Sequence, residues 1–442
     1  MNENVSSALY EGYTEPIRDV LWGHIYLTPA LEALTESPPF MRLHRILQLG
    51  PAFRVYPGAT HSRASHSIGV YHLARRLLVH LAEEGADAWL SPVGVKSFLC
   101  AALLHDLGHF PYTHSLKELP LTEHEALTGN LITSEPVKSL VAAAGGDPSL
   151  TAAIVDTATN ESSIDNRHSF ENRHSSANKP STELEFYRRL LSGALDPDKL
   201  DYLSRDARYC GVPYGAQDVD FILSRLHPHP ERGLDIDSRG ITGVESLLFS
   251  KYLMYRTVYW HRSVRSATGM VKKALLAGLE SGLVAGEELY NLDDQGLFAL
   301  AGQKNHPLFS LVDSVRNGRL FSIAAEIPFD EKAHGKLLAI SGRSEMEESL
   351  AAEYSAFLKK PLGGDAIVID LPEPVSFECG LFVTDENCFF SEGSSAFKKG
   401  TVDAFVKSLR VIRVFVDPSY DDVIEPLREG ILQITQKWLQ LL

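Results

Sequence analysis

The sequence predicts a mainly α protein, with an all-helical core over residues 1–290 and a smaller mixed α+β region over 291–442. Three observations predict it. From about residue 40 to 290, apolar side chains recur at three- and four-residue spacing between helix-start and helix-stop signals. Past about 290, short β-branched runs alternate with helical stripes. A chain of 442 residues, 44% hydrophobic and 22% charged, can bury one large core with a smaller unit attached, and lacks the bias of a disordered or fibrous protein.

In chain order, "IGVYHLARRLLVHLAEEG" places Val70, Leu73, Leu77 and Leu81 on one helix face, with Gly85 as a stop. "VKSFLCAALLHDLGH" is apolar without a break from Phe98 to Leu104, which predicts a helix buried on most sides. A polar insert at 157–182, rich in Ser and Asn, carries "NRHS" twice, and its composition predicts a flexible solvated loop rather than a metal site built on His168 and His174. "LDPDKLDYLSRDARYCG" has Asp196 as N-cap, Pro197 at the first helical position and Gly211 past the end. Asp198, Tyr202 and Asp206 then share a face that is polar where a core would be apolar. "DAIVID", "GLFVT" and "VIRVFVD" read as strands. Two helical stripes, one of Met346, Leu350, Tyr354 and Phe357 and the other of Leu427, Ile431, Ile434, Trp438 and Leu441, suit core or subunit contact.

The net charge of −15 argues against a surface for duplex nucleic acid, though a local phosphate site is allowed. Cys100, Cys210, Cys379 and Cys388 form no CxxC pair, which suits reduced thiols in a cytoplasmic protein. No apolar run is long enough to span a bilayer, and "MNENVSSALYEGYTEP" lacks the basic-then-apolar pattern of a signal peptide. The expectation is a cytoplasmic protein without a membrane partner.

The chemistry gathers in "LLHDLGHFPYTH", where an apolar helix ends in His105, Asp106, His109 and His114, with His124 close behind. Adjacent helical residues point about 100° apart, so His105 and Asp106 both reach an ion only at the edge between them, and further ligands must come from elsewhere. His66 and Asp198, each at the start of a predicted helix, are the candidates. A carboxylate often does no more than orient a histidine, but burying this many titratable groups is costly unless they are used. Two imidazoles and two carboxylates suit one divalent transition metal (Fe, Mn, Zn, Ni or Co), with positions open for water.

"RILQLGPAFRVYPGATHSRASHSIGVYHLA", "LLHDLGHFPYTH", "TEHE" and "LDPDKLDYLSRDARYCGV", in that order, resemble the HD-domain deoxynucleoside triphosphate (dNTP) triphosphohydrolases over roughly residues 36 to 275. The resemblance implies a helical HD phosphohydrolase domain over 1–290 and oligomer contacts in 291–442. It implies a metal on His66, His105, Asp106 and Asp198, with Mg or Mn accompanying the triphosphate. It also implies His124 as general acid, with His109 and His114 lining the phosphates. Arg63, Lys199 and Lys251 would contact phosphate, Lys251 standing where the family usually has arginine. Gln48, Leu49, Tyr202 and Asp206 would face the sugar, Asp206 at the 3′-hydroxyl, and Tyr259 would close on the ribose. The implied reaction is attack of metal-bound hydroxide on the α-phosphorus, releasing a deoxynucleoside and inorganic triphosphate from a homo-oligomer, dimer or tetramer.

One departure concerns activation. Animal members carry a guanine-nucleotide regulatory site with an acidic residue, a glutamine and an arginine. Here Glu36 is present, but Met41 and His44 occupy the other two places. A different nucleotide activator, or none, is expected. Two further readings stay open: an HD phosphohydrolase acting on another nucleotide phosphate ester, and a nucleotide-sensing module without turnover.

Overall fold

The computed structural model describes residues 2–14, 16–156, 182–304, 306–377, 379–393 and 396–441. The polar stretch at 157–181, with both NRHS repeats, lies outside them. The protein is mainly helical, with small sheets. Among the described residues, no helix is long and apolar enough to cross a membrane.

Two antiparallel hairpins interrupt the helical core. The first pairs β1 (Pro16–Asp19) with β2 (Gly23–Tyr26). Its turn is set by the Asp19 carboxylate, which accepts the N–H groups of Leu21 and Trp22 at 2.8 and 2.9 Å. Helix α1 (Arg63–Glu83) begins at Ser62, whose hydroxyl accepts the Ser65 N–H, and stops before Gly85, which adopts φ 98°. Helix α2 (Pro92–Leu104) is capped by Ser91 and is buried at every position from Ser97 to Leu104, as a uniformly apolar run requires. After α3 (His124–Ile132), α4 (Pro197–Cys210) carries the expected cap, the Asp196 carboxylate accepting the Lys199 N–H at 2.7 Å, and ends at Gly211 with φ 68°. The second hairpin joins β3 (Leu226–His229) to β4 (Gly233–Ile236). Helix α5 (Ile241–Met254) runs into a π-turn over Tyr255–Tyr259 and is followed by α6 (Arg262–Glu280).

In the C-terminal third, β5 (Ser322–Pro328) and β6 (Ile367–Asp370) flank a central β9 (Val411–Val416) in an antiparallel sheet. Short β7 (Phe382–Val383) runs parallel to β4 and antiparallel to β8 (Cys388–Phe389). Helices α7 (Arg343–Leu358) and α8 (Arg428–Leu441) pack on each other beside the three-stranded sheet, in one apolar cluster with Leu350, Tyr354, Ile431 and Trp438. These side chains are core of this chain. Leu427, Phe357 and Leu441 of the same stripes are exposed.

The arrangement places α1 between α2 and α4. Gly69 makes that packing possible, because a Cβ there would lie 2.0 Å from Asp201 Oδ1 on α4. The start of α1, the end of α2 and the start of α4 therefore meet at one place.

Candidate active site

His66, His105 and Asp106 present ligand atoms within 4.8 Å of one another. Asp198 completes the group, its Oδ1 lying 3.0 Å from His66 Nε2 and 3.8 Å from His105 Nε2. His66 and Asp106 are buried, whereas the Asp198 side chain is 35% exposed, so the cluster opens to solvent on that side.

A divalent ion fits this set. His105 Nδ1 lies 3.0 Å from the Ala102 carbonyl, which places the proton there and turns the lone pair of Nε2 toward Asp106 and Asp198. That Nε2 is buried without a hydrogen-bond partner. His66 Nδ1 is likewise committed to Asp201 Oδ2, 2.8 Å away. Burial alone would lower the His66 pKa, but the bonds to Asp198 and Asp201 raise it to about 10. The proton this holds at Nε2 stands where a cation would bind, since ligation needs neutral imidazole and ionised carboxylate. Asp106 supplies the latter: burial opposes its charge, yet His109, His105 and Arg63 hold it well below the usual carboxylate range.

The other candidates surround this cluster. Arg63, buried at the first position of α1, donates from Nη1 to Asp106 Oδ2 at 2.8 Å. His109 is fully buried, with Nε2 3.0 Å from Asp106 Oδ1. Burial and the Arg63 guanidinium hold its pKa well below the imidazole range. The rings of His109 and His124 are 3.9 Å apart, and exposed His114 lies 4.7 Å from His109. Gly108 allows this approach, because a Cβ there would sit 2.4 Å from the His124 carbonyl oxygen. His124 Nδ1 is 2.9 Å from Glu125 Oε2. Burial works against the Glu125 charge, but His124 brings that carboxyl down to about 2.

Lys199 is drawn inward, donating to Asp196 and to the Gly193 carbonyl. Lys251 on α5 donates to the Ser376 carbonyl at 2.7 Å, and burial together with Lys199 lowers its pKa to about 8. Tyr202 and Tyr259 meet edge to face at 6.4 Å. Tyr259 donates to Asp206 Oδ2 at 2.6 Å. Gln48 donates its backbone N–H to the His61 carbonyl, and its side-chain Oε1 is buried without a partner. Leu49 packs half-buried beside it.

The HD domain family model matches residues 63–205, a span that opens on Arg63 and contains His66, His105, Asp106 and Asp198. This stretch of the chain is an HD domain. An HD associated region follows over residues 218–416. The chain is 33% identical over 245 residues to the uncharacterized protein YwfO of Bacillus subtilis, covering 55% of this chain and 50% of that one. It is 27% identical over 277 residues to the human deoxynucleoside triphosphate triphosphohydrolase SAMHD1, covering 59% of this chain and 44% of that one. It thus spans about half the length of the curated relatives it matches. A Bacteroides thetaiotaomicron structure described as a phosphohydrolase shares the fold, with a TM-score of 0.68 at 23% identity over 91% of this chain and 99% of that one.

Several residues that hold the HD domain's cluster in place carry no signal of their own in the sequence. Asp201, fully buried, receives the Trp22 Nε1–H at 2.6 Å and two bonds from Arg205 at 2.8 and 2.9 Å, besides contacting His66. Arg205 continues to Asp19 on the first hairpin at 2.8 Å. The Asp201–Arg205 spacing of four is a pair that a helix places side by side. Arg42 donates to the carbonyls of Leu107 and His109 at 2.7 and 2.6 Å, pinning the turn after Asp106. Thr128 on α3 bridges the Gly108 N–H and the His105 carbonyl.

Asp294 steadies the approach to Gln48 by accepting the Leu47 N–H at 3.0 Å, and burial pushes its carboxyl up to about 6. Its folded pKa lies above its unfolded value, so the stability it confers is present in acid and lost as pH rises through about 6. Asp294→Asn is expected to flatten the fall of Tm between pH 4 and 7 relative to the wild type. An identical pH profile in thermal melts would count against this assignment.

Proposed function

We propose that this HD-domain protein hydrolyses deoxynucleoside triphosphates to the deoxynucleoside and inorganic triphosphate. The observation that carries the reading is the convergence of His66, His105, Asp106 and Asp198, with the buried His105 Nε2 left for a ligand. The human relative named as a dNTP triphosphohydrolase supports it.

Those four residues would hold a divalent transition metal, which would supply the Lewis acidity that makes hydroxide available from water near neutral pH. Arg63, Lys199 and Lys251 lie on the first turns of α1 and α4 and on α5, where their charge offsets a triphosphate's roughly four negative charges as the α-phosphorus is attacked. Neutral His109, kept unprotonated by burial and the Arg63 guanidinium, donates a hydrogen bond to the phosphates without adding charge. The phosphorus–oxygen bond to the 5′ carbon's oxygen breaks, and that oxygen takes its proton from His124, which Glu125 orients. Tyr202, Asp206 and Tyr259 form the wall on which the sugar rests.

The test incubates purified protein with each dNTP and Mn²⁺ and separates the products. Inorganic triphosphate and deoxynucleoside in equal amounts are expected. Pyrophosphate with a monophosphate would move the cut to another bond, and no product across metals and nucleotide mixtures would sink the reading in favour of a sensor.

A further inference from the structure

Asp206 is held more tightly than a hydroxyl-reading carboxylate needs for binding alone. Its Oδ1 lies 2.8 Å from His61 Nε2, with both side chains sealed from solvent, and its Oδ2 receives the Tyr259 hydroxyl at 2.6 Å. His61 Nδ1 is buried without a partner, so the ring carries its proton at Nε2, where it donates to Asp206. The other tautomer would bury a lone pair against the carboxylate. The ring is fixed in turn by stacking on Tyr209 at 4.5 Å. Gly58 lets the 58–61 loop press onto α4, since a Cβ there would lie 2.5 Å from the Tyr209 carbonyl oxygen. The His61 carbonyl accepts the Gln48 backbone N–H at 3.0 Å. His61 is thus tied by its side chain to Asp206 and by its backbone to Gln48, two segments far apart in sequence.

We infer that His61 is a positioning residue for sugar specificity: it aims the Asp206 carboxylate, and with it the Gln48 segment, at the 3′-hydroxyl of a deoxynucleotide. The inference rests on the proposed dNTP reading and deepens it. With one donor on each oxygen, Asp206 keeps lone pairs for a substrate hydroxyl while losing its freedom to rotate. A hydrogen bond to a charged group that is misaimed loses most of its strength.

The experiment compares wild type, His61→Phe and His61→Gln on the dNTP that the wild type turns over fastest and on its 2′,3′-dideoxy analogue. Phenylalanine keeps the ring over Tyr209 and removes the donor, while glutamine can return an N–H. In H61F, kcat/KM is expected to fall roughly ten- to a hundredfold on the dNTP, to stay unchanged on the dideoxy analogue, and to recover in part in H61Q, with metal content at the wild-type level. Three outcomes overturn the inference: H61F keeping the wild-type preference, H61F losing both substrates equally as a merely structural residue would, or a wild type that does not distinguish the two. A wild type that turns over no dNTP is a different failure, removing the proposed function and this inference with it.

Discussion

Asp106→Asn is expected to give a folded protein that retains no transition metal after dialysis and shows nucleotide turnover at background. Asparagine preserves the shape of a side chain that touches Arg63, His109 and His105, and keeps one oxygen to accept the Arg63 Nη1–H. The charge is what disappears. Without it the cluster has one carboxylate, half-buried Asp198, to set against a divalent ion. Water without an ion is about eight orders of magnitude less ionised at neutral pH, taking a pKa near 7 when bound against 15.7 when free. Weakening the buried bond to Arg63 costs about 2 kcal/mol, which a folded HD domain tolerates. Elemental analysis and a thermal melt decide the matter together: full metal content with activity lost would leave Asp106 as a catalytic group but not a ligand.

Asp201→Ala is expected to have the larger effect on stability. Truncation strands the Arg205 guanidinium in a fully buried position with Asp19 alone, and removes the acceptors of Trp22 and His66. Breaking a buried ion pair from one side costs about 3–5 kcal/mol, or a fall in Tm of about 3–5 °C for a chain of this size. Freed from Asp201, the His66 ring can turn, and metal affinity is expected to drop about ten- to a hundredfold. Asp201→Asn should retain more of both. Equal loss in the two variants would show that the charge, rather than the hydrogen bonds, orients His66. An unchanged melt and metal affinity in Asp201→Ala would sink the argument.

The helices that carry the cluster were legible because capping and apolar periodicity are local. Asp196, Pro197, Gly85 and Gly211 act within a few residues of the ends they mark. The first hairpin was not, because its four-residue strands lack alternation and its turn is set by the Asp19 side chain instead of an Asn-Gly pair. His66, His105, Asp106 and Asp198 stood out as ionisable groups attached to apolar helices. Their supports did not. Arg42, Thr128, Asp201 and His61 reach Leu107, Gly108, His66 and Asp206 across 20 to 145 residues of chain, and that kind of contact leaves no periodic trace. Lys199 and Lys251 were legible as cations, but their ties to Asp196 and Ser376 were visible only once the chain had folded.

Because α1, α2 and α4 each bring one corner of the cluster, an ion held there would act as a rivet through three lengths of backbone far apart in sequence. Its affinity is then spent partly on holding the native shape, and mass action makes heat resistance depend on how much free ion the solution contains. Chelation of such an ion would loosen the whole helical core, well beyond the four side chains themselves.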